Sequence, residues 1–354
     1  MALLNFLKSR FLLSLNKQQI SKLDKTRVNK VLALKYDKIG DMVVATPFFR
    51  EIKKSIPNCQ LTVLCSKSNY PIIINNPFID EVHIYQNQWN RLFPVLLKLR
   101  KKKFDLCFEF EAGVVTKAIL VTKIIKPLFV ASVFKQHGRY GLRAEQIKIY
   151  DFYTENQISS HRSLNILDTL KFLDISSQNN KYELYIESSS MRKALNFLNK
   201  YSTYSKKVGI NFEGITYGGS IDSIKIKEII SGISEEYSNA IFFILAPPWD
   251  KKKVNVLIES LGIQNLIPTY LNISDVIAFV DLLDLVISVD TSIVHISSAL
   301  NTPLVAIYAN DLVNYGQWSP NSENFETVFS KNKRSFNNFS TKEVINSSIK
   351  LLDL

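Results

Sequence analysis

The sequence predicts an α/β fold in two domains, each a parallel sheet covered by helices on both faces. Short apolar runs rich in β-branched residues alternate with amphipathic helical stretches through both halves, which is the rhythm of βαβ units. A chain of 354 residues exceeds what one ordinary core holds and fits two. Polar breaks at residues 176–181 and 188–190 separate the two runs and mark the domain boundary.

Taken in order, the first domain opens with a strand over residues 30–36 (KVLALKY). Asp37-Lys38-Ile39-Gly40-Asp41 is the turn after it. A helix begins near Asp41 and runs to Lys54, with Pro47 in an early turn or at a kink. Further strands are expected over 61–65, 81–85 and 104–110, and helices over 89–102 and 112–124. Residues 136–160 lose the rhythm and are rich in Arg, Tyr and Gln, so they read as loops at a cleft edge. A helix over 161–173 closes the domain.

The second domain restarts with a strand over 207–212, followed by a glycine-bearing loop over 213–220. A helix over 223–237, a strand over 240–245 and helices over 250–261 and 273–280 come next. Residues 285–289 (LVISV) and 304–308 (LVAIY) are buried-type strands. Between them Asp290-Thr291-Ser292 are cap-type residues, and Thr291, Val294, His295 and Ser298 recur at helical spacing. Asn301-Thr302-Pro303 stops that helix. A last amphipathic helix over 341–354 is a candidate to cross back onto the first domain.

Composition bounds the function. Apolar residues make up 46% and charged residues 21%, which is globular rather than disordered. Lys plus Arg number 44 against 32 Asp plus Glu, a net charge of +12 that favours anionic partners: nucleic acid, a phospholipid surface or a phosphorylated substrate. Solvated surface lysines would give the same number. Cys59, Cys65 and Cys107 have no metal-ligand spacing, so neither a zinc site nor a disulfide framework is expected, and a reducing cytoplasm is the simplest compartment. Lys123, Lys126, Asp275, Asp281 and Asp284 interrupt every apolar stretch long enough to span a bilayer. Residues 1–15 (MALLNFLKSRFLLSL) lack a small-residue cleavage site and are broken by Lys8 and Arg10, unlike a signal peptide. Leu3, Leu4, Leu7, Phe11 and Leu15 share a helical face, which fits a helix lying on an anionic membrane or one packed on the domain.

Two polar elbows carry candidate chemistry. Asp290-Thr291-Ser292 follows a strand and opens a helix, where free N–H groups and the dipole attract phosphate, and Thr291, Ser292 and His295 can donate hydrogen bonds. The same residues also serve as a plain cap. At the first elbow Gly40 permits a tight turn, and Asp41 at a helix start is an ionised carboxylate able to take a proton from a hydroxyl, or an N-cap with no chemistry. The loop from Glu213 through Gly214 to Ser220 lies where backbone N–H groups cradle phosphates, but it is not a Walker loop, and no strand end carries G-x-G-x-x-G. No Asp-x-Asp pair exists to hold a metal-bound nucleotide diphosphate. Glu109-Phe110-Glu111 is the nearest thing and suits contact with substrate hydroxyls.

YDKIGDMVVATPFFREIKKSIPNCQLTVL (residues 36–64) resembles the opening of the ADP-heptose:lipopolysaccharide heptosyltransferases, glycosyltransferase family nine. DLVISVDTSIVHISSALNTPLVAIYAND (284–311), with Trp318-Ser319-Pro320 beyond it, is similar to the family's donor-site signature. His161-Arg162-Ser163-Leu164-Asn165 and INFEG (210–214) resemble two further landmarks, so the likeness spans most of residues 31–320.

The resemblance implies a GT-B architecture, two Rossmann-like domains facing a central cleft. It implies an inverting, metal-independent transfer of a sugar, heptose from ADP-heptose by the family's default, onto a lipopolysaccharide core or related glycolipid. No cofactor or metal is expected. Residues 1–29 are then a basic N-terminal helix, 30–185 the acceptor domain, 186–340 the nucleotide-sugar donor domain, and 341–354 the C-terminal helix. Asp41 matches the catalytic base. Asp290, Thr291, Ser292 and His295, with Asn211, Glu213 and Gly214, match donor contacts. Lys38, Gly40, Glu109, Glu111 and His161 fall on the acceptor side or the cleft. The expected place of work is the cytoplasm, peripheral at the inner face of the bacterial inner membrane, with an anionic membrane and no nucleic acid as partner. Two departures stand out. Ser292 replaces the family's usual Gly, and residues 214–223 lack the family's cation, leaving Lys38 or Lys225 to neutralise the leaving group. A UDP-hexose donor and a non-catalytic basic binding module are the alternatives.

Overall fold

The computed structural model describes residues 2–155, 160–177, 179–214 and 219–354. The chain divides into two compact units, Met1–Asn180 and Lys181–Leu354.

The first unit is built on strands β1 (Lys30–Lys35), β2 (Gln60–Cys65), β3 (Glu81–Ile84), β4 (Leu106–Glu109), β5 (Phe129–Ser132) and β6 (Phe152–Tyr153). They form one all-parallel sheet in the order β3-β2-β1-β4-β5-β6. Its helices are α1 (Ala2–Ser14), α2 (Ile39–Ser55), α3 (Tyr70–Ile73), α4 (Trp89–Lys101), α5 (Thr116–Ile125) and α6 (Arg162–Leu167). Helices cover both faces, so β1, β2, β4 and β5 are buried almost from end to end and read as continuous apolar runs. α2 keeps Pro47 inside it. A proline removes the N–H that the carbonyl of residue 43 would accept. The Thr46 hydroxyl donates to that Val43 carbonyl at 2.7 Å, which explains how a Thr-Pro pair sits in an unbroken helix.

The second unit repeats the plan with β7 (Lys206–Asn211), the short antiparallel pair β8 (Glu213–Gly214) and β9 (Gly219–Ser220), β10 (Ala240–Ala246), β11 (Leu266–Tyr270), β12 (Leu285–Val289), β13 (Leu304–Tyr308) and β14 (Phe325–Phe329). Its six-stranded sheet is parallel, in the order β11-β10-β7-β12-β13-β14. The helices are α7 (Ser188–Leu198), α8 (Ser223–Glu236), α9 (Lys251–Leu261), α10 (Ile273–Val280), α11 (Ser292–Leu300), α12 (Leu312–Trp318) and α13 (Thr341–Leu352). An apolar core of Ile, Val, Leu and Phe from β7, β10, β12, α8 and α13 holds it together.

Several expectations need correction. Ser188–Ser190 is not a break but the first turn of α7, because serine is at home where helix N–H groups are still free. The division between units lies at residues 180 and 181, within the polar break expected over 176–181 and five residues before the domain limit expected at 185. The helix expected over 161–173 is α6 followed by a 3-10 turn, Asp168–Leu173. α13 packs on α8 and on β12, β13 and β14 of its own unit. Gly40 is a buried residue of the first turn of α2, without positive φ. The turn before it is held instead by Asn69, whose amide donates to the carbonyls of Lys35 (3.2 Å) and Asp37 (3.3 Å). Residues 215–218 of the glycine loop and 156–159 of the polar middle lie outside the described residues.

Candidate functional site

In each sheet the chain leaves the first strand in one direction and returns on its other side, so β1 neighbours β4 and β7 neighbours β12. Open α/β sheets bind ligands at such switch points, beyond the carboxyl ends of the strands. Asp41, Glu109 and Glu111 lie there in the first unit, and Asn211, Asp290, Thr291 and Ser292 in the second.

In the first unit the β1 end supplies Lys35, almost fully buried, whose Nζ lies 2.6 Å from Asp37 Oδ2 and 3.7 Å from Asp41 Oδ1. Asp41 is the third residue of α2, half-buried in its first turn. Burial pushes Asp37 up to about 6; Lys35 pulls it down and the Asp41 charge adds to the rise. The β4 end supplies Glu109 and Glu111. Glu109 is fully buried, ion-paired with the equally buried Lys135, and accepts from the Ser132 hydroxyl (3.2 Å) and the Glu111 N–H (2.8 Å). Lys135 also donates to the Glu111 carbonyl. Burial, with the charges of Asp37 and Glu109, pushes Glu111 up to about 7 against the pull of Lys35 and Lys135. Arg162 opens α6, which packs against α2. Burial lowers its pKa, and the Asp41 and Glu111 charges oppose that. His161 caps α6 through Nδ1, 2.7 Å from the Ser163 hydroxyl and 3.3 Å from the Ser163 N–H. Lys38 is the exposed residue before α2.

In the second unit register pairs Ser288 with Asn211 across β12 and β7. The Asn211 amide donates to Ser288 Oγ (3.0 Å), to Thr291 Oγ1 (2.9 Å) and to the Glu213 carbonyl (3.5 Å). Thr291 caps α11 by accepting from the Ile293 N–H at 3.3 Å. Asp290 is buried and accepts from the Asn314 amide at 3.1 Å, so it fixes the elbow to α12. His295 is buried between the rings of Tyr182 (6.1 Å) and Trp318 (5.9 Å). Thr291 and Ser292 stay half-buried at the start of α11, which presents N–H groups and hydroxyls to an anion. Gly214 belongs to the short β8 strand, and Glu213 is ion-paired with Lys253 of α9. Lys225 is 3.2 Å from Asp222, the cap of α8.

Lys35, Asp37, Lys135, Arg162 and Lys253 were not among the site residues read from the sequence. Asp37 had a signal, since it lies in the quoted turn, and Lys35 stands two residues before it at the end of the quoted strand. Lys135 and Lys253 had none, because only the packing of distant segments brings them to Glu109 and Glu213.

The sequence profile described as glycosyltransferase family 9 (heptosyltransferase) matches residues 95–346. The chain belongs to glycosyltransferase family 9. It is 22% identical to lipopolysaccharide heptosyltransferase 3 of Escherichia coli over 299 residues, covering 81% of this chain and 85% of that one. The crystal structure of a family 9 glycosyl transferase from Veillonella parvula DSM 2008 superposes with a TM-score of 0.78 at 14% identity, covering 94% of this chain and 99% of that one. The structure of E. coli ADP-heptose lps heptosyltransferase II gives 0.71 at 15% identity, covering 91% and 98%. These solved structures share the GT-B fold class, two parallel Rossmann-like sheets with helices, and the family assignment makes this chain a glycosyltransferase.

Proposed function

We propose that this family 9 glycosyltransferase moves heptose from ADP-heptose to a sugar of a lipopolysaccharide core, with inversion and without a divalent cation. The first unit takes the acceptor and the second the donor. The observation that carries the reading is Asp41 in the first turn of α2 at the β1–β4 switch point, 3.7 Å from the buried ammonium of Lys35. The acceptor hydroxyl gives its proton to Asp41 while its oxygen bonds to the anomeric carbon from the face opposite the diphosphate. The bond from that carbon to the diphosphate oxygen breaks, and ADP leaves with the electron pair. The start of α11, with Thr291 and Ser292, stabilises the developing charge, an effect aimed at the transition state. Lys253, held beside the donor loop by Glu213, supplies the cation that residues 214–223 lack. Support for the donor and acceptor comes from the names of the E. coli relatives. A lipid-linked acceptor places the work at the inner face of the bacterial inner membrane, with the enzyme attached peripherally and no part for nucleic acid.

The test is Asp41→Asn. Calorimetry should show ADP-heptose binding unchanged, while turnover falls by a factor on the order of a hundred or more, the scale of a lost general base. Near-normal turnover removes Asp41 from the role. Saturable heat with a UDP-hexose and none with ADP-heptose would transfer the assignment to the other donor, which Ser292 in place of glycine makes worth measuring.

A further inference from the structure

α1 is anchored and yet bare. Leu12 is fully buried in a cluster with Val114, Ile119, Val130 and Ile149, and the segment after the helix is fixed by hydrogen bonds from the Lys17 N–H to the Lys148 carbonyl (2.9 Å) and from the Lys148 N–H to Asn16 Oδ1 (2.8 Å). The rest of the helix turns apolar side chains to solvent. Leu3, Leu4, Phe6, Leu7, Phe11 and Leu13 are exposed, from 38% at Leu13 to 73% at Leu3. The expected single stripe ending at Leu15 is therefore a wider apolar surface, larger than scattered surface residues account for.

A second element adjoins it. The N–H of Arg139 and the carbonyl of Leu142 bond at 3.0 Å, as do the Leu142 N–H and the Arg139 carbonyl, closing a two-residue hairpin turn through Tyr140 (φ 52) and Gly141 (φ 81). Positive φ at both central positions is what such turns require, which suits Gly141. At Gly138 a Cβ would lie 1.8 Å from the Leu142 carbonyl oxygen, so only glycine lets the hairpin close. Tyr140 and Leu142 pack on the Leu12 cluster, and the ammonium of Lys8 on α1 lies 5.1 Å from the centre of the Tyr140 ring. The hairpin and the helix are thus one surface. Its charge is mainly positive. Lys8, Arg10 and Lys22 precede the first acidic residue of the chain, Asp24, while Lys17 is ion-paired with the buried Asp151; Arg139, Arg143 and Lys148 flank the hairpin with Glu145 as the acid among them.

We infer that α1 and the 139–142 hairpin form a docking platform for an anionic phospholipid bilayer, the apolar side chains entering the interface and the arginines meeting headgroup phosphates. The inference rests on the reading of a lipid-linked acceptor and gives it a direction. The hairpin follows three residues after Lys135, and the Gln136 N–H donates to the Ala112 carbonyl at 2.8 Å, so the platform borders the strand ends that carry Glu109 and Glu111. A glycolipid held in the bilayer there has its sugars beside the acceptor edge of the first unit.

Cosedimentation with vesicles tests this without any nucleotide sugar, so it can fail while glycosyl transfer stands, and the reverse. The full chain should sediment with vesicles of phosphatidylglycerol and phosphatidylcholine in equal parts, far less with phosphatidylcholine alone, and less as salt rises. Leu3→Ser, Leu7→Ser and Phe11→Ser together, and separately Arg139→Glu with Arg143→Glu, should each lower the bound fraction on the order of tenfold or more while the melting temperature holds. Hydrogen exchange on the unaltered chain is the second readout: anionic vesicles should protect residues 2–14 and 138–143. Charge-reversed protein that binds like the parent overturns the proposal, as does unchanged exchange in those segments. So does a dimer by light scattering that the serine variant dissolves, which would make a second copy of the chain the occupant.

Discussion

Asp37 and Glu111 hold protons longer in the folded chain than in the unfolded one. Burial is the main cause at both: it pushes Asp37 from 3.8 up to about 6 and Glu111 from 4.5 up to about 7. The unfolded chain releases these protons near its ordinary carboxylate values, so between about pH 4 and 7 the folded state carries more of them. Stability therefore falls as pH rises through that window and levels off above it. The contribution from Asp37 is on the order of 3 kcal/mol at most. Urea unfolding of Asp37→Asn across the range should give a flatter profile between about pH 4 and 6 than the parent gives. A variant profile as steep as the parent's would mean that the Asp37 carboxyl is already ionised throughout. The cluster also shows what a sequence hides at this scale. Asp41 is legible because a carboxylate after Gly at a strand end is a recognisable pattern. That it sits over a buried ammonium is not, because the burial of Lys35 depends on α2 closing over it.

At the scale of elements, α11 was readable: LVISV, then Asp-Thr-Ser, then a helical period. Its partner was not. Asn211 lies 80 residues before Thr291, and only the parallel pairing of β7 with β12 brings the amide to the cap hydroxyl. Thr291→Val keeps the shape and removes the oxygen that accepts from the Ile293 N–H and from Asn211. It should cost about 1–2 kcal/mol of stability, the scale of a lost cap, and weaken donor binding in calorimetry while leaving any binding of acceptor analogue unchanged. Unaltered donor affinity would detach the α11 start from the diphosphate. The strands that escaped the sequence reading did so for local reasons. β11 (LIPTY) contains Pro268, which reads as a breaker, but it is an edge strand with a neighbour on one side only, the place in a sheet that tolerates proline. β14 (FETVF) is the other edge of the same sheet, half-exposed, and carries too little apolar character to announce itself. β5 is four residues long, shortly after Pro127, and β6 has two.

On the scale of the whole molecule, the plan of two βα units with a parallel sheet each was visible from rhythm alone, because covered parallel strands must be apolar throughout. The first unit ends inside the first of the two polar breaks, 176–181, while the second, a serine run, is a helix start and not a linker. The cysteines give this organisation a probe. Cys59, Cys65 and Cys107 are all buried, all free and all in the first unit. Burial raises each thiol pKa, that of Cys65 to about 12, so almost no thiolate exists at neutral pH to react. Native protein should therefore give no thiol signal with DTNB and lose no activity when reductant is withdrawn. In denaturant three thiols should appear, and they report the opening of the first unit alone, because the second unit has no cysteine. Trp249 and Trp318 lie in the second unit and Trp89 in the first. With Trp89→Phe, fluorescence follows the second unit while DTNB follows the first, and comparing the two midpoints measures how far the units unfold together. A thiol that reacts in the native protein within the mixing time would place one of the three cysteines at a surface and contradict the packing of β2 and β4 described above.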